Sequence, residues 1–151
     1  MNNDPRLNEF LPYLLSITSN AVSGRIALEY RQRFGLSVPE WRVMAVLGDL
    51  GSQTQRELVG ATRMDKVAVN RACKVLGERG LVARSPNTRD GRSHHLSLTG
   101  EGRAMFDRIM PLALDMEKRL FSCLSARETD DFKATLAKLL DRAAAMLDER
   151  G

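Results

Sequence analysis

Between Ser37 and Gly80 the chain is cut into three short helices, and this punctuation limits the fold more than any other feature. Ser37 with Glu40, and Thr54 with Glu57, have capping-box spacing, in which an N-cap hydroxyl and a carboxylate satisfy each other's backbone N–H. Pro39 falls in the first turn of the first of these helices, where its missing N–H costs nothing. Gly48 and Gly51 mark that helix's end. Asp65 is placed to cap the third helix, and Gly80 to stop it. That third helix carries an apolar stripe of Val69, Ala72, Cys73 and Leu76.

The flanks read differently. From Leu7 to about Arg33, apolar residues recur near the helical period through Phe10, Leu14, Ile17 and Leu28. Pro12 is tolerated there only in the first turn or as a kink, and Gly35 is a stop. After Gly80 come two short strands, "LVARS" and "HHLSL", joined by turn residues as a hairpin. Two long helices follow, one from about Glu101 to Leu124 with a kink expected at Pro111, the other from about Ala126 to Glu149. The fold class is therefore mainly α with a small β-hairpin.

Charge singles out the middle of the chain. Net charge over the 151 residues is only +4, but Gly60 to His95 holds eight Lys/Arg against three acids. Residues 126–151 are slightly acidic by the same count. The basic quarter contains the third helix and the hairpin. A two-residue Asp-Gly turn suffices to reverse a chain, yet the tip here reads Arg89-Asp90-Gly91-Arg92. A short helix, a turn, a longer helix and a basic hairpin make a winged helix-turn-helix, whose second helix enters the DNA major groove. Arg89 and Arg92 then probe an adjacent minor groove, where narrow A·T-rich stretches concentrate negative potential. Asp90 either favours the turn or orients Arg92 by a charge-assisted hydrogen bond.

The sequence resembles the MarR family of bacterial transcription regulators over nearly its whole length. The resemblance is most specific from Asp65 through "NRACKVLGERGLVARSPNTRDGRSHHLSLTGEG" to Gly102. It lies in an ordered set: the recognition-helix arginine, Leu-x-x-x-Gly-Leu-Val, the Asp-x-Arg wing, and Leu-Thr-x-x-Gly. The resemblance implies a homodimer joined through its first and last helices, with two recognition helices about 34 Å apart on a pseudo-palindromic operator. It divides the chain into an N-terminal dimerisation helix (1–34), a winged helix-turn-helix lobe (35–100) and C-terminal dimerisation helices (101–151). It also implies a repressor released by a small ligand, in the family's habit an aromatic carboxylate or its thioester.

On this reading the recognition helix presents Lys66, Val67, Ala68, Asn70, Arg71 and Lys74. Family members often carry small hydroxyl residues where this chain has Val67 and Ala68, and Thr or Ser at Asn70. Polar readout rests on Lys66, Asn70 and Arg71, with Asn70 suited to adenine; Val67 and Ala68 suit thymine methyl groups. Lys74, a turn deeper, meets phosphate. Thr54 and Gln55 open the preceding helix and either cap it or touch the DNA backbone, since helix N-termini attract anions. Trp41 and Arg42 are either a core residue and an ion-pair partner, or an aromatic wall with a carboxylate anchor. Leu14, Ser16 and Ile17 from the first helix would complete that pocket.

Other functions find little in the chain. It holds no Gly-rich phosphate loop, nucleophile elbow or metal-ligand cluster, so no enzyme, cofactor or metal is expected. His94 and His95 are strand neighbours on opposite faces and cannot share one ion without distortion. Cys73 sits on the apolar stripe; Cys123 ends a helix. Peroxide-sensing relatives use a first-helix cysteine, and this chain has none there. A winged helix serving protein interaction alone is the alternative, but such a surface is more often neutral or apolar at its centre. No signal segment or membrane span is visible, so a cytoplasmic protein with double-stranded DNA, a second copy of itself and a small aromatic ligand as partners is expected.

Overall fold

The computed structural model describes residues 6–87, 89 and 91–149. The chain forms two compact units, Met1–Ala113 and Leu114–Gly151. The first opens with a single 3-10 turn, Leu7–Glu9, before helix α1, Leu11–Phe34. The expected start at Leu7 is thus corrected. Proline has no N–H and its ring blocks the carbonyl four residues back, so the helix begins where Pro12 falls in its first turn. Gly35, at φ 64°, ends α1 in the left-handed region.

Helix α2, Val38–Leu50, starts on the expected capping box: Glu40 N–H donates to Ser37 Oγ at 3.3 Å, and Ser37 N–H to Glu40 Oε1 at 3.4 Å. Gly48 does not stop this helix; Gly51, at φ 80°, does. Gly48 is a packing residue, because a Cβ there would strike the ring of Phe106. After a two-residue strand β1, Gln53–Thr54, come helix α3, Gln55–Thr62, and helix α4, Lys66–Glu78. Gly80, at φ 71°, turns the chain out of α4 into strand β2, Val82–Pro86, which pairs antiparallel with strand β3, His94–Leu98.

Strand β1 was not expected. It pairs with the other edge of β3, Gln53 opposite Leu96 and Thr54 opposite His95, giving a three-stranded sheet in the order β1-β3-β2. Two residues cannot show a strand's alternation. Around this sheet, α2, α3 and α4 close on a core that includes Val43, Met44, Leu47, Leu58, Val69, Leu76 and Leu96, with Tyr30 of α1 joining it. Isolated helices as short as α3 are marginal in water; the fully buried Leu58 fastens α3 to its neighbours.

Helix α5, Gly100–Leu120, contains Pro111 and ends four residues before the expected Leu124. Its first turns contribute Phe106 and the fully buried Ile109 to the first unit. In the second unit, helix α6, Ala126–Asp148, starts on a third capping box that the sequence reading passed over. There Ser125 N–H donates to Glu128 Oε1 at 3.0 Å, and Glu128 N–H to Ser125 Oγ at 3.1 Å. Phe121 and Phe132 lie 6.4 Å apart beside a cavity of about 600 Å³. Phe132, Leu136, Leu139, Leu140 and Leu147 of α6 are exposed. Among the described residues, no helix is long and apolar enough to cross a membrane.

Candidate nucleic-acid interface

Asp65 begins α4 by accepting the Ala68 N–H at 2.8 Å. From that start, helical geometry sorts the side chains. Val69, Ala72, Cys73 and Leu76 are buried, while Lys66, Val67, Asn70, Arg71 and Lys74 are exposed. The spacing i, i+1, i+4, i+5, i+8 places these five on one outward face. Val67, an apolar residue, is 65% exposed. Ala68 is half-buried at the edge of that face.

Helix α3 presents its N-terminus beside the hairpin. Thr54 Oγ1 accepts the Glu57 N–H at 3.1 Å, and Glu57 Oε1 accepts the Thr54 N–H at 3.2 Å, so the expected capping role of Thr54 is made. Gln55 is half-buried and near enough to Cys73 of α4 to act on its thiol. Burial pushes the Cys73 thiol up from its ordinary value, against the smaller opposing effects of Gln55 and the Arg84 charge.

In the wing, Arg89 and Arg92 are exposed; Asp90 lies outside the described residues. The tip is organised by Asn87. Its Nδ2 donates to Ser93 Oγ at 2.9 Å, its N–H to the Ser93 carbonyl at 3.2 Å, and its Oδ1 accepts the Arg89 N–H at 3.1 Å. Between α3 and the wing lies a cleft of about 450 Å³ whose lining includes Thr54, Gln55, Arg56, Arg84, Arg92 and His94. Three arginines and Glu57 thus share a cleft at the N-terminus of α3. Arg56 and Arg84 were missed by the sequence reading. Arg84 stands on β2 opposite Leu96, and β2, with one buried residue followed by four exposed ones, has no alternation that would single it out. His94 lines this cleft, while His95 is half-buried with its Nδ1 enclosed.

Of the residues expected at the second site, Trp41 lines a groove of this chain that the others do not share. Trp41 packs between Tyr30, at 5.1 Å between ring centroids, and Phe106, at 6.0 Å with the ring planes 27° apart. A groove of about 470 Å³ beside it is lined by Trp41, Ala45, Val46, Asp49, Phe106 and Met110 among others. Arg42 is exposed and not part of that lining; its charged group is Asp49. Leu14, Ser16 and Ile17 also lie outside the lining. Ile17 lies thirteen positions before Tyr30 on α1, which at 1.5 Å per residue is about 20 Å.

Comparison with known proteins agrees with this layout. Residues 34–93, the α2-to-wing segment, match the profile of the MarR family. The chain is 30% identical over 105 residues to the HTH-type transcriptional repressor Rv2887 of Mycobacterium tuberculosis, spanning 70% of this chain and 76% of that protein. This chain belongs to the MarR family. Among solved structures of MarR regulators, SPO1453 of Silicibacter pomeroyi superposes with a TM-score of 0.79 at 31% identity, over 93% of this chain and 99% of that one. A cysteine-to-serine mutant of Escherichia coli MarR, solved in complex with operator DNA, superposes at 0.78 with 25% identity, over 86% and 93% of the two chains. The expected fold class, a winged helix-turn-helix between long helices, is that of these regulators.

Proposed function

We propose that this MarR-family chain is a homodimeric repressor that binds a pseudo-palindromic operator in sequence-specific fashion and is released from it by a small ligand. The observation that carries the DNA reading is the outward face of α4. Five exposed side chains stand on a helix whose opposite face is core, and Arg56, Arg84 and Arg92 line the cleft beside it. Lys66, Asn70 and Arg71 read base edges, Val67 and Ala68 touch thymine methyls, and Lys74 holds phosphate. Arg89 and Arg92, oriented with Asp90, enter the minor groove. Thr54 and the α3 N-terminus face the backbone. The E. coli relative's complex with operator DNA supports a fold that docks on duplex.

Dimerisation is supported by apolar side chains left in water. Leu11 and Ile17 of α1 are exposed in the first unit, and Leu136, Leu139 and Leu147 of α6 in the second. Large apolar side chains exposed on helices in this way suit a partner surface. Segments 1–34 and 101–151 would meet their counterparts in a second copy, with residues 35–100 carrying DNA contact. The ligand belongs beside Trp41, where Phe106 offers a second ring face. With Asp49 in that groove and Arg42 outside it, an aromatic body attached through an ester or thioester suits the site better than a free carboxylate. A ligand shifts DNA affinity only through preferential binding to the non-DNA geometry.

Fluorescence anisotropy tests this reading, using the DNA upstream of the protein's own coding region against scrambled duplex at two salt concentrations. Wild type should prefer the former, and Arg71→Ala should lose that preference at a cost of about 1–3 kcal/mol. Arg84→Ala should weaken both duplexes alike and reduce the salt slope by about one. Salt-insensitive behaviour with neither duplex bound would instead favour a protein-interaction module.

A further inference from the structure

Arg79 stands at the C-terminal end of the recognition helix and reaches back to α1. Its Nη1 donates to the Gly35 carbonyl at 3.0 Å and its Nη2 to the Phe34 carbonyl at 3.0 Å. These are among the last carbonyls of α1, which the helix itself cannot satisfy. One guanidinium thus caps α1 from 44 residues away, in the forked geometry that only arginine supplies. The opposite side of the same joint is tied to α5. Thr99 Oγ1 donates to the Gly80 carbonyl at 2.6 Å, Thr99 N–H to the Leu81 carbonyl at 3.0 Å, and Gly102 N–H to Thr99 Oγ1 at 3.0 Å.

We propose that Arg79 is a positioning residue for DNA recognition, holding α4 at a set angle to α1 and thereby setting the spacing of the two recognition helices. The inference rests on the dimeric DNA-binding reading above. Arg79 itself touches no DNA in it. A 13-residue helix is about 20 Å long, so a tilt of about 5° at its C-terminal joint carries its N-terminal residues about 2 Å. A shift of that size breaks hydrogen bonds to base edges, which weaken beyond 3.2 Å or so. Two half-sites sharing one dimer frame feel the loss together. A single half-site does not, because one lobe can settle on it unconstrained.

The test begins with an operator selected from random duplexes by the wild-type protein. Affinity is then measured for that operator, for versions with one base pair inserted or removed between half-sites, and for a lone half-site. Wild type should lose about tenfold or more when the spacing changes, a coupling of ordinary size between linked sites. Arg79→Met, which keeps the aliphatic stem, should bind the selected operator about tenfold more weakly and lose most of the spacing preference. Its half-site affinity should stay within about twofold of wild type, as for an energetically independent site. Arg79→Lys keeps the charge without the fork and should resemble Met in spacing preference. It carries the test if the Met variant unfolds.

Amide hydrogen exchange on the free protein provides a readout without DNA. The Leu36 N–H, which donates to the Tyr30 carbonyl at 3.3 Å, should exchange faster in Arg79→Met while the α4 core stays protected. Unchanged spacing preference in Arg79→Met, an equal loss on all duplexes including the half-site, or unchanged exchange at Leu36 each overturns the inference. Failure of the wild type to select any operator overturns the reading beneath it, and the inference with it.

Discussion

Gly102 lies against the backbone carbonyl of Leu81, with no space between them for a side chain. A Cβ there would run into the carbonyl oxygen, and would also meet the carbonyl carbon at 3.0 Å and Leu98 Cδ2 at 3.3 Å. Backbone cannot rotate aside as a side chain can, so α5 would have to lift from the exit of α4. Gly102→Ala should therefore destabilise the protein by about 1–3 kcal/mol in urea unfolding, the cost of overpacking. Gly100→Ala, which meets nothing within 4 Å, is the control and should be neutral or mildly stabilising.

Loss of the cap on the recognition helix should act at two levels. Asp65→Ala removes the acceptor of the Ala68 N–H and should cost about 1 kcal/mol of stability by thermal or chemical unfolding. Fraying concentrates in the first turn, where Lys66 and Val67 stand. DNA affinity should consequently fall in Asp65→Ala and recover in Asp65→Asn, which restores an N-cap acceptor. A drop in stability with unchanged DNA affinity would detach the first turn from the interface.

The two thiols should separate cleanly. Cys123 is exposed, whereas Cys73 is buried under Gln55 with its thiol pushed upward by burial. A thiol-exchange reagent near pH 8 should modify one equivalent promptly and the second only on the timescale of unfolding, since thiolate and access are both required. Guanidinium chloride should bring the second equivalent into the fast phase. Rapid labelling of Cys73 in the native protein would contradict its burial.

The cap of α6 should leave a mark on the acid limb of stability. Glu128 accepts the Ser125 N–H, and this backbone hydrogen bond, with a smaller contribution from the Ser125 side chain, holds its carboxyl below the usual 4.5. A lowered folded-state value means that the unfolded chain binds more protons, so this contribution is complete above about 4.5 and disappears as pH falls below it. The stability difference between wild type and Glu128→Gln should be flat from neutrality to about pH 5 and shrink at lower pH. A difference that persists unchanged to pH 3 would remove the carboxylate from the account.

Much of the recognition element was legible beforehand, and the reasons differ by residue. Asp65 and Gly80 bounded α4, and the buried stripe of Val69, Ala72, Cys73 and Leu76 left Lys66, Asn70, Arg71 and Lys74 outward by periodicity alone. The cleft was only half legible. Arg92 stood out at a turn, but Arg56 and Arg84 joined it because α3 and the hairpin come together, which no spacing records. Trp41 shows the opposite case. Its aromatic partners, Tyr30 and Phe106, lie 11 and 65 residues away, and neither marked itself as a wall of the same groove.

The sequence by itself determined where α2, α3 and α4 start, what stops α1 and α4, and which face of α4 turns to solvent. Those features close within three or four residues, as in Ser37–Glu40 and Thr54–Glu57, at little cost in chain entropy, and each requires particular residue types at particular spacings. Only the tertiary structure decided that Gly48 packs on Phe106, that Gln53 and Thr54 form a strand, that Gln55 turns to Cys73 and that Arg79 caps α1. Each of these joins residues 18 or more positions apart, and each depends on where another element has come to rest. A glycine that ends a helix and one that admits a ring are the same letter, and the difference arises only when the ring arrives.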